Sequence, residues 1–570
     1  MSHALSSLRP WHLATGLCVV VLFCGLGGYP LMDPDESRNG EIAREMIESG
    51  NWLTPTLNYV PYFEKPPLMH WLIAASMTAL GPTETAVRVV PAVAAVLGML
   101  VAWWLARATV GEGAARWAPA VFATTLVSFA LARFPVLDML YGTLLAASLT
   151  VWWISQPAVQ WAKAHRLVGS GALLGLAVLA KGPSAIVLFG GVTVVYLAAT
   201  RARLLRFGAL ALPVAMAVAV AAPWFAVAQA RHPDFLRQFL FVSHFQRFTG
   251  EAFTQHRHAV WYYAPVLLLG WLPWSALWPV GLCGCRARWR GLDAQARAAA
   301  VFLTVWAAAI IAAFTASSSK LAAYVFPSWW PIAVGTAAVL DRVLCGQDAS
   351  RGARRSLAAL GMGVIFAAGG VLLLGGKQRV VPAEAAGGPA LISAVVFAVV
   401  GAAFIAAPRL GSTFRMAALI ACSAALLAGL VPAYRAFATY RELGNLLPEA
   451  LRGQGRSANW AFACYHCRSY ALAFYTGSRV VLIDSDTTGR PAEYEPDDAE
   501  WFRTGPGAID DLAARGPLAL AVPAHEAEAV GEAHCLTTLG STRDLALLVN
   551  AAGLRGAGLP PVHGGTEGPR

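Results

Sequence analysis

Val89–Ala106 reads VVPAVAAVLGMLVAWWLA, a stretch with no charged side chain. At about 1.5 Å of rise per residue a helix of this length comes close to the ~30 Å hydrocarbon thickness of a bilayer. Runs of the same character recur on both sides of it, near 12–30, 115–132, 135–155, 167–180, 183–199, 205–228, 259–282, 297–316, 321–340, 355–375, 390–407 and 414–434. With 57% hydrophobic and 13% charged residues over 570 positions, the chain carries more apolar surface than soluble cores could bury, so part of its solvent is lipid. The expectation is an α-helical polytopic membrane protein of about thirteen transmembrane helices. The first apolar run has no small-residue cleavage site behind it and is read as a retained helix.

Basic residues orient the spans. With the N-terminus inside, inner loops hold Arg107 and Arg116, Lys163 and Arg166, Arg201, Arg203 and Arg206, and the later groups around Arg286, Arg351 and Arg409, while outer loops carry few. The net charge of +11 is mostly this loop bias and does not argue for nucleic acid as a partner. An odd number of spans leaves the residues after about 436 outside. The division that follows is a transmembrane region over 1–436 with an outer amphipathic loop at 32–84, a soluble α/β domain over 437–550, and a Gly- and Pro-rich tail over 551–570 read as disordered. The strands of that domain are expected at Trp460–Cys464, Arg479–Ile483, Leu518–Val522 and Leu545–Val549, with helices at 467–476 and 508–515. Cys464 and Cys467, with Cys535, fall on the outer side, where a disulfide or free thiols are both open and no zinc ligand set accompanies them.

The outer loop begins as a helix start. Asp33 suits a cap, Pro34 the first turn and Glu36 a capping box; Ile42, Met46 and Ile47 share a face, and Gly50 supplies the stop. Such a helix is expected to lie flat on the outer membrane surface. A second segment, after Phe63-Glu64-Lys65-Pro66-Pro67 and up to about Leu80, is expected to dip into the bilayer without crossing.

On this topology an unusual set of ionisable side chains gathers at outer helix ends: Asp35, Glu36, Arg38, Glu64, Lys65, Arg133, Asp138, Lys181, His244, Arg247, His256, Arg257 and Lys320. Charges at that depth mark a substrate path by default. Several Lys and Arg side chains suit a lipid phosphate or diphosphate, and carboxylates among them suit sugar hydroxyls, an acceptor, or an oxocarbenium-like centre. The combination reads as glycosyl transfer with a phosphate leaving group. Each motif also has a plain structural reading: acids favour a helix start, Asp138 at a helix end fits a salt bridge with Arg133, and boundary lysines snorkel.

Asp33-Pro34-Asp35-Glu36-Ser37-Arg38, Glu41-Ile42 and Tyr62-Phe63-Glu64-Lys65-Pro66-Pro67 resemble the first outer loop of the bacterial aminoarabinose transferases, which modify lipid A from an undecaprenyl-phosphate donor and belong with the protein O-mannosyltransferases in the GT-C class. The resemblance continues in order through Leu137-Asp138-Met139, Ala180-Lys181-Gly182-Pro183, His244-Phe245-Gln246-Arg247-Phe248, Gln255-His256-Arg257 and Ser319-Lys320 with Tyr324 and Pro327. It implies a GT-C fold with a soluble outer domain, an inner-membrane location with that domain in the periplasm, and transfer of a sugar, 4-amino-4-deoxy-L-arabinose, from undecaprenyl phosphate to lipid A or a related envelope acceptor. It implies Asp35 as principal catalytic carboxylate, with Asp138 and Glu36 beside it in the catalytic set. Arg38, Tyr62, Lys65, Lys181, Arg247, Arg257, Lys320 and Tyr324 form the substrate and phosphate set. Glu64 with His244 is the candidate pair for a divalent metal ion, and no motif calls for another cofactor. Two departures bear on specificity: Asn39 stands where the family commonly has Tyr, and the outer domain carries no family motif. The competing readings are a polyprenyl-phosphate-sugar transferase acting on protein or another glycan and, in a different class, a lipid-linked sugar flippase; the latter would place polar groups near the midplane and show internal repeats, and neither is seen.

Overall fold

The computed structural model describes residues 10–156, 164–200, 207–240, 258–279, 289–342, 383–406, 412–452, 460–485 and 500–557. The chain forms two compact units, one of Met1–Gly25, Phe63–Met69 and Arg88–Ala433, the other of Leu26–Tyr62, His70–Val87 and Tyr434–Arg570.

The first unit is helical. Among the described residues six helices are long and apolar enough to cross a membrane: Glu84–Thr109, Leu137–Ser155, Gly208–Arg231, Ala294–Ala316, Ala322–Leu340 and Met416–Arg441. Their outward faces are those of a lipid-bathed protein. In Glu84–Thr109, Val93, Leu97, Leu100 and Trp104 stay exposed in one stripe at four- and three-residue steps, while Ala92, Ala95, Met99, Ala102 and Ala106 are buried opposite them. Leu391, Ile392, Val395 and Val399 repeat the pattern in Ala383–Ala406. In water such stripes would drive aggregation; in hydrocarbon they are the solvent contact.

Other apolar runs expected as single spans are built in pieces. The first helix stops at Phe23, before Gly25, which is left-handed at φ 70°, so it is 14 residues long rather than reaching 30. The 115–132 run becomes Glu112–Ala115, Ala118–Ala123 and Leu126–Arg133, the last capped by Thr125, whose hydroxyl accepts from the Ser128 N–H. The 259–282 run gives Val260–Tyr262, Tyr263–Gly270 and Trp274–Leu277, interrupted at Pro273. Hydropathy cannot see these breaks because Gly, Thr and Pro interrupt the backbone without making it polar. The expected turn at Lys181-Gly182-Pro183 is present: Ala164–Lys181 ends there, Gly182 takes φ 106°, and Ser184–Ala199 begins after it. The expected span at 355–375 lies outside the described residues.

Three neighbouring helices set up the chemistry. Gly171 and Gly175, four apart, let Ala164–Lys181 approach Phe207–Arg231 so closely that a Cβ on Gly171 would meet the Pro213 carbonyl at 2.5 Å and one on Gly175 would meet Val220 Cβ at 2.6 Å. Against its other neighbour, Leu137–Ser155, the same helix exchanges two serine bonds: Ser148 Oγ donates to Ser170 O at 2.8 Å and Ser170 Oγ to Ser148 O at 2.9 Å. Trp152 Nε1 donates to Ala209 O at 2.8 Å, joining the first helix to the third.

The second unit holds a two-stranded ribbon, β1 (Thr56–Leu57) and β2 (Val60–Pro61), and a six-stranded sheet of β3 (Ala461–Tyr465), β4 (Val481–Ile483), β5 (Phe502–Arg503), β6 (Leu518–Pro523), β7 (Thr537–Ser541) and β8 (Leu545–Val549). The sheet order is β5-β4-β3-β6-β8-β7, parallel through the first four strands and antiparallel at β8 and β7. Helices Tyr470–Thr476 and Gly507–Arg515 connect the parallel strands. Side chains sort with the period of two: Phe462, Cys464, Ala519, Ala521, Leu547 and Val549 enter one core, and Ala463, Leu518, Leu520, Val522, Ala546 and Leu548 the other. The four strands expected from sequence are present. The two it missed are a two-residue pair at the edge and TTLGS, whose polar run carries a register shift between Thr538 and Gly540. Cys464 and Cys467 are free thiols, and Cys467 Sγ lies 3.3 Å from Ala521 O.

Asp35–Ser49 belongs to this unit, and it does not lie open on a surface. Ten consecutive-turn residues including Glu36, Asn39, Glu41, Arg44 and Glu45 are buried, and Ile47 is 37% exposed. The polar face expected to meet water is instead buried, at Glu41, Arg44 and Glu45, and takes partners within the unit. Arg44 holds both Glu41 oxygens at 2.7 Å, and Glu45 Oε2 accepts from Thr56 Oγ1 at 2.5 Å and from Tyr59 N at 3.0 Å. Pro34 occupies the cap without a side-chain bond, and the end at Gly50 is left-handed as expected. Asp33 does not cap its own helix backbone. It accepts from Ser469 Oγ at 2.6 Å and Ala471 N at 3.1 Å, at the start of Tyr470–Thr476.

Candidate functional site

In the first unit, Asp138 opens Leu137–Ser155 and Lys181 closes Ala164–Lys181. An acid at a helix N-terminus and a cation at a C-terminus are each favoured by the local backbone dipoles, and antiparallel packing brings these ends together. The two side chains form an ion pair, 87% and 83% shielded from solvent. Sequence reading paired Asp138 with Arg133; the structure gives Asp138 Lys181, while Arg133 Nη1 donates to Val21 O at 3.4 Å and Leu22 O at 3.3 Å, at the end of the Pro10–Phe23 helix.

Aromatic walls flank the ammonium. Lys181 Nζ stands 5.4 Å from the centroid of Tyr141, one turn after Asp138, and 5.0 Å from that of Tyr324. Tyr141 Oη is 3.2 Å from Ser184 Oγ, beyond the turn. Tyr324 lies in the tight segment Ala322–Ser328 with its ring against Phe314 at 5.3 Å, and the segment is tied at Leu321, whose carbonyl accepts from Tyr263 Oη at 3.2 Å. A cation fixed by one carboxylate and two ring faces is poised to meet a further anion in a low-dielectric setting, the condition under which such a charge acts strongly.

Lys320 is 5% exposed and donates to Ser317 O at 2.6 Å, the carbonyl just past Ala294–Ala316, which gives it a helix-end role in this structure. Lys65 and Glu64 follow Phe63, which is anchored on Phe235 at 5.2 Å and His232 at 4.8 Å. Arg247, Arg257 and His244 lie outside the described residues. Among the described residues no group of three His, Cys, Asp or Glu side chains could hold a metal ion, and Glu64 belongs to no such group.

In the second unit, Asp35 and Arg38 pair at 2.6 Å with the Asp35 carboxylate 42% exposed. Glu36, one residue on, is fully buried, and its Oε2 accepts from Met32 N at 2.8 Å. Asn39 Nδ2 donates to Asp35 O at 2.9 Å, and its Oδ1 is 3.0 Å from His70 Nε2; Tyr62 is buried edge-on to the His70 ring at 6.1 Å. Burial and then the neighbouring Glu41 carboxylate push Glu45 up to about 8, and burial pushes Glu442 up to about 7. Glu442 Oε2 accepts from Asp33 N at 2.9 Å.

Sequence reasoning missed Tyr141, Tyr263, Glu442 and Arg88. Tyr141 was detectable by its three-residue spacing from Asp138, and Arg88, fully buried in Glu84–Thr109, as a charge entering an apolar run. Nothing local marks Tyr263 or Glu442.

Residues 64–226 match the family model described as dolichyl-phosphate-mannose-protein mannosyltransferase. An undecaprenyl phosphate-alpha-4-amino-4-deoxy-L-arabinose arabinosyl transferase of Edwardsiella ictaluri is 32% identical over 346 residues, 60% of this chain and 61% of that protein. The enzyme of the same description from Erwinia tasmaniensis is 31% identical over 411 residues, 70% of this chain and 72% of that one. The matches to the first curated relatives span 61%, 57% and 59% of their lengths. In fold, the chain is similar to the crystal structure of ArnT from Cupriavidus metallidurans bound to undecaprenyl phosphate, with a TM-score of 0.79 and 24% identity over 95% of this chain and 98% of that one. Its apo state gives a TM-score of 0.80. The fold is therefore that of this helical, multi-pass membrane protein. By its similarity over most of its length to the Erwinia protein, the chain belongs to the family of undecaprenyl phosphate-alpha-4-amino-4-deoxy-L-arabinose arabinosyl transferases.

Proposed function

We propose that this protein is an inner-membrane glycosyltransferase that moves 4-amino-4-deoxy-L-arabinose from undecaprenyl phosphate to lipid A or a related envelope acceptor at the periplasmic face. The observation that carries the reading is the Lys181 ammonium, shielded, paired with Asp138 and walled by Tyr141 and Tyr324. The leaving group of such a transfer is a phosphate monoester on a lipid, and its charge grows as the glycosidic bond breaks. A preorganised cation stabilises that charge without reorganising solvent. Lys65, Arg247, Arg257 and Lys320 complete the phosphate set in this reading, and Arg38 and Tyr62 belong to the substrate set.

Asp35 is the catalytic carboxylate of the proposal. Its carboxylate is half-open while its neighbour Glu36 is engaged with backbone, so Asp35 is the acid left for substrate. If the acceptor is a phosphate, already an anion, Asp35 orients acceptor or sugar; if a hydroxyl, Asp35 is the general base. The sugar's own ammonium is a natural partner for either acid. Displacement from the face opposite the phosphate inverts the anomeric centre. Glu64 and His244 are the residues that would hold a divalent metal in this reading, and no step of the mechanism uses one.

The mannosyltransferase family match supports a second reading on the same chemistry, transfer from a polyprenyl phosphate to protein. Membranes containing the protein are incubated with undecaprenyl-phosphate aminoarabinose and either lipid A or an acceptor peptide. A sugar-sized mass increment on lipid A supports the first reading, an increment on peptide alone the second, and no increment on either with folded protein rejects both.

A further inference from the structure

Three successive backbone N–H groups lead into the helix Asp35–Ser49, and each is held by a side-chain oxygen of the second unit. Leu31 N donates to Tyr475 Oη at 2.8 Å, Met32 N to Glu36 Oε2 at 2.8 Å and Asp33 N to Glu442 Oε2 at 2.9 Å. The three acceptors come from three places: Glu36 from the helix itself, Tyr475 from Tyr470–Thr476, and Glu442 from just beyond Ser412–Arg441.

The holders are themselves held. Tyr475 Oη donates to Glu84 Oε1 at 2.8 Å, and its ring fills the space beside Gly444, where an added Cβ would meet Tyr475 Cε2 at 2.4 Å. Arg452 Cζ lies 4.9 Å from the centroid of the same ring, and its Nη2 donates to Gly444 O at 2.8 Å. Glu36 closes a reciprocal pair, since its own N–H donates to Met32 O at 3.0 Å. The Asp33 carboxylate accepts from Ser37 Oγ, from Ser469 Oγ at 2.6 Å and from Ala471 N at 3.1 Å.

This arrangement works against burial. Glu36 is fully buried and Glu442 is 3% exposed; burial first, and then the Asp33 and Glu36 carboxylates, push Glu442 up to about 7, with Arg441 Nε 3.8 Å from its other oxygen. A neutral amide or hydroxyl could accept from the same N–H groups with less desolvation. What an ionised acceptor adds is a bond roughly twice as strong. The backbone fastened in this way ends two residues before Asp35, whose carboxylate stays 42% exposed beside Arg38. Since a misplacement of about 1 Å can cost a catalytic group ~10²-fold in rate, a rigid backbone ahead of Asp35 has a use beyond stability.

We infer that Glu442 and Tyr475 are positioning residues for sugar transfer, fixing the backbone of residues 31–33 and through it the place of the Asp35 carboxylate. The inference rests on the reading of Asp35 as the catalytic carboxylate. It gives the part of the chain after Tyr434 a share in the reaction that is exerted through Asp35.

The test measures kcat and KM for transfer from undecaprenyl-phosphate aminoarabinose to lipid A by the full chain in nanodiscs, together with hydrogen exchange at residues 31–38. Glu442→Ala is expected to lower kcat ~10–100-fold with little change in donor KM, and to speed exchange over this segment. Glu442→Gln keeps an oxygen for the Asp33 N–H and is expected to restore most of kcat and of the protection. Tyr475→Phe, which removes one hydroxyl, is expected to act in the same direction and less. Thermal melts establish which variants are folded; should Glu442→Ala fail to fold, Tyr475→Phe decides. Wild-type kcat and exchange in the folded variants, or a Glu442→Ala loss that Glu442→Gln leaves in full, overturns the inference while Asp35→Asn stays inactive. Transfer by Asp35→Asn at the wild-type rate instead removes the catalytic reading on which the inference rests.

Discussion

Two groups of charged residues that look alike in sequence are built differently. Around Asp35, a short helix carries five acids, and three of them, Glu36, Glu41 and Glu45, are buried and engaged by backbone, Arg44 or Thr56; the Asp35 carboxylate keeps 42% of its exposure. Around Lys181, two residues from different helices meet in a shielded pair between two rings. In the first group the charges mostly hold the fold, and the Asp35 carboxylate, paired with Arg38, is the one the proposal assigns to chemistry. In the second, two helix ends and the Tyr324 ring surround a single cation. The lesson is that acid count alone does not tell a charge that holds the fold from one placed between rings in a shielded pair.

The comparison breaks most visibly at Asp35. Asp35→Asn is expected to lower the rate of sugar transfer by ~10²–10⁴-fold if the acceptor needs a base, whereas Glu36→Gln should act on melting temperature first. A loss of rate with Glu36→Gln and none with Asp35→Asn would reverse the assignment. Lys181→Ala is expected to cost ~10²–10³-fold in initial rate, as removal of one transition-state donor does. Lys181→Arg should recover only part, because a planar fork does not fit the space of an ammonium between two rings.

Smaller effects concern stability. Asp33→Ala removes acceptors from Ser469 Oγ and Ala471 N and is expected to destabilise the second unit by about 1–3 kcal/mol, read as a lower melting temperature. The pH effect has a definite sign. Glu45 and Glu442 are raised, to about 8 and about 7, so the folded unit binds more protons than the unfolded chain above the ordinary Glu range near 4.5. Their contribution is full below about pH 4.5 and is lost as pH rises through 7 and 8. The melting temperature of the second unit is expected to fall between pH 5 and 8, and Glu45→Gln to flatten that slope; an unchanged slope refutes the cause named.

The class of fold was legible because a bilayer imposes a length on apolar helices, and the six-stranded sheet because β6, LALAVP, and β8, LALLV, are buried on both faces. The Lys181 turn was legible because Gly and Pro follow it directly. What could not be read was long-range: Asp138 meets Lys181, 43 residues on, where the serine exchange packs Leu137–Ser155 against Ala164–Lys181. The Glu442 carboxylate reaches Asp33 N from a distant segment. The burial of the polar face of Asp35–Ser49 was not legible because Arg44 pairs with Glu41 and Glu48 within the helix, which periodicity does not register.

The central claim is that the Lys181 cluster binds the donor phosphate while Asp35 serves the later chemistry. Equilibrium binding of undecaprenyl phosphate to the purified full chain, compared among wild type, Lys181→Ala and Asp35→Asn, tests it directly. The account predicts a loss of at least ~10-fold in affinity for Lys181→Ala, about 1.4 kcal/mol or more, and near wild-type affinity for Asp35→Asn. Equal affinity for Lys181→Ala and wild type would contradict it.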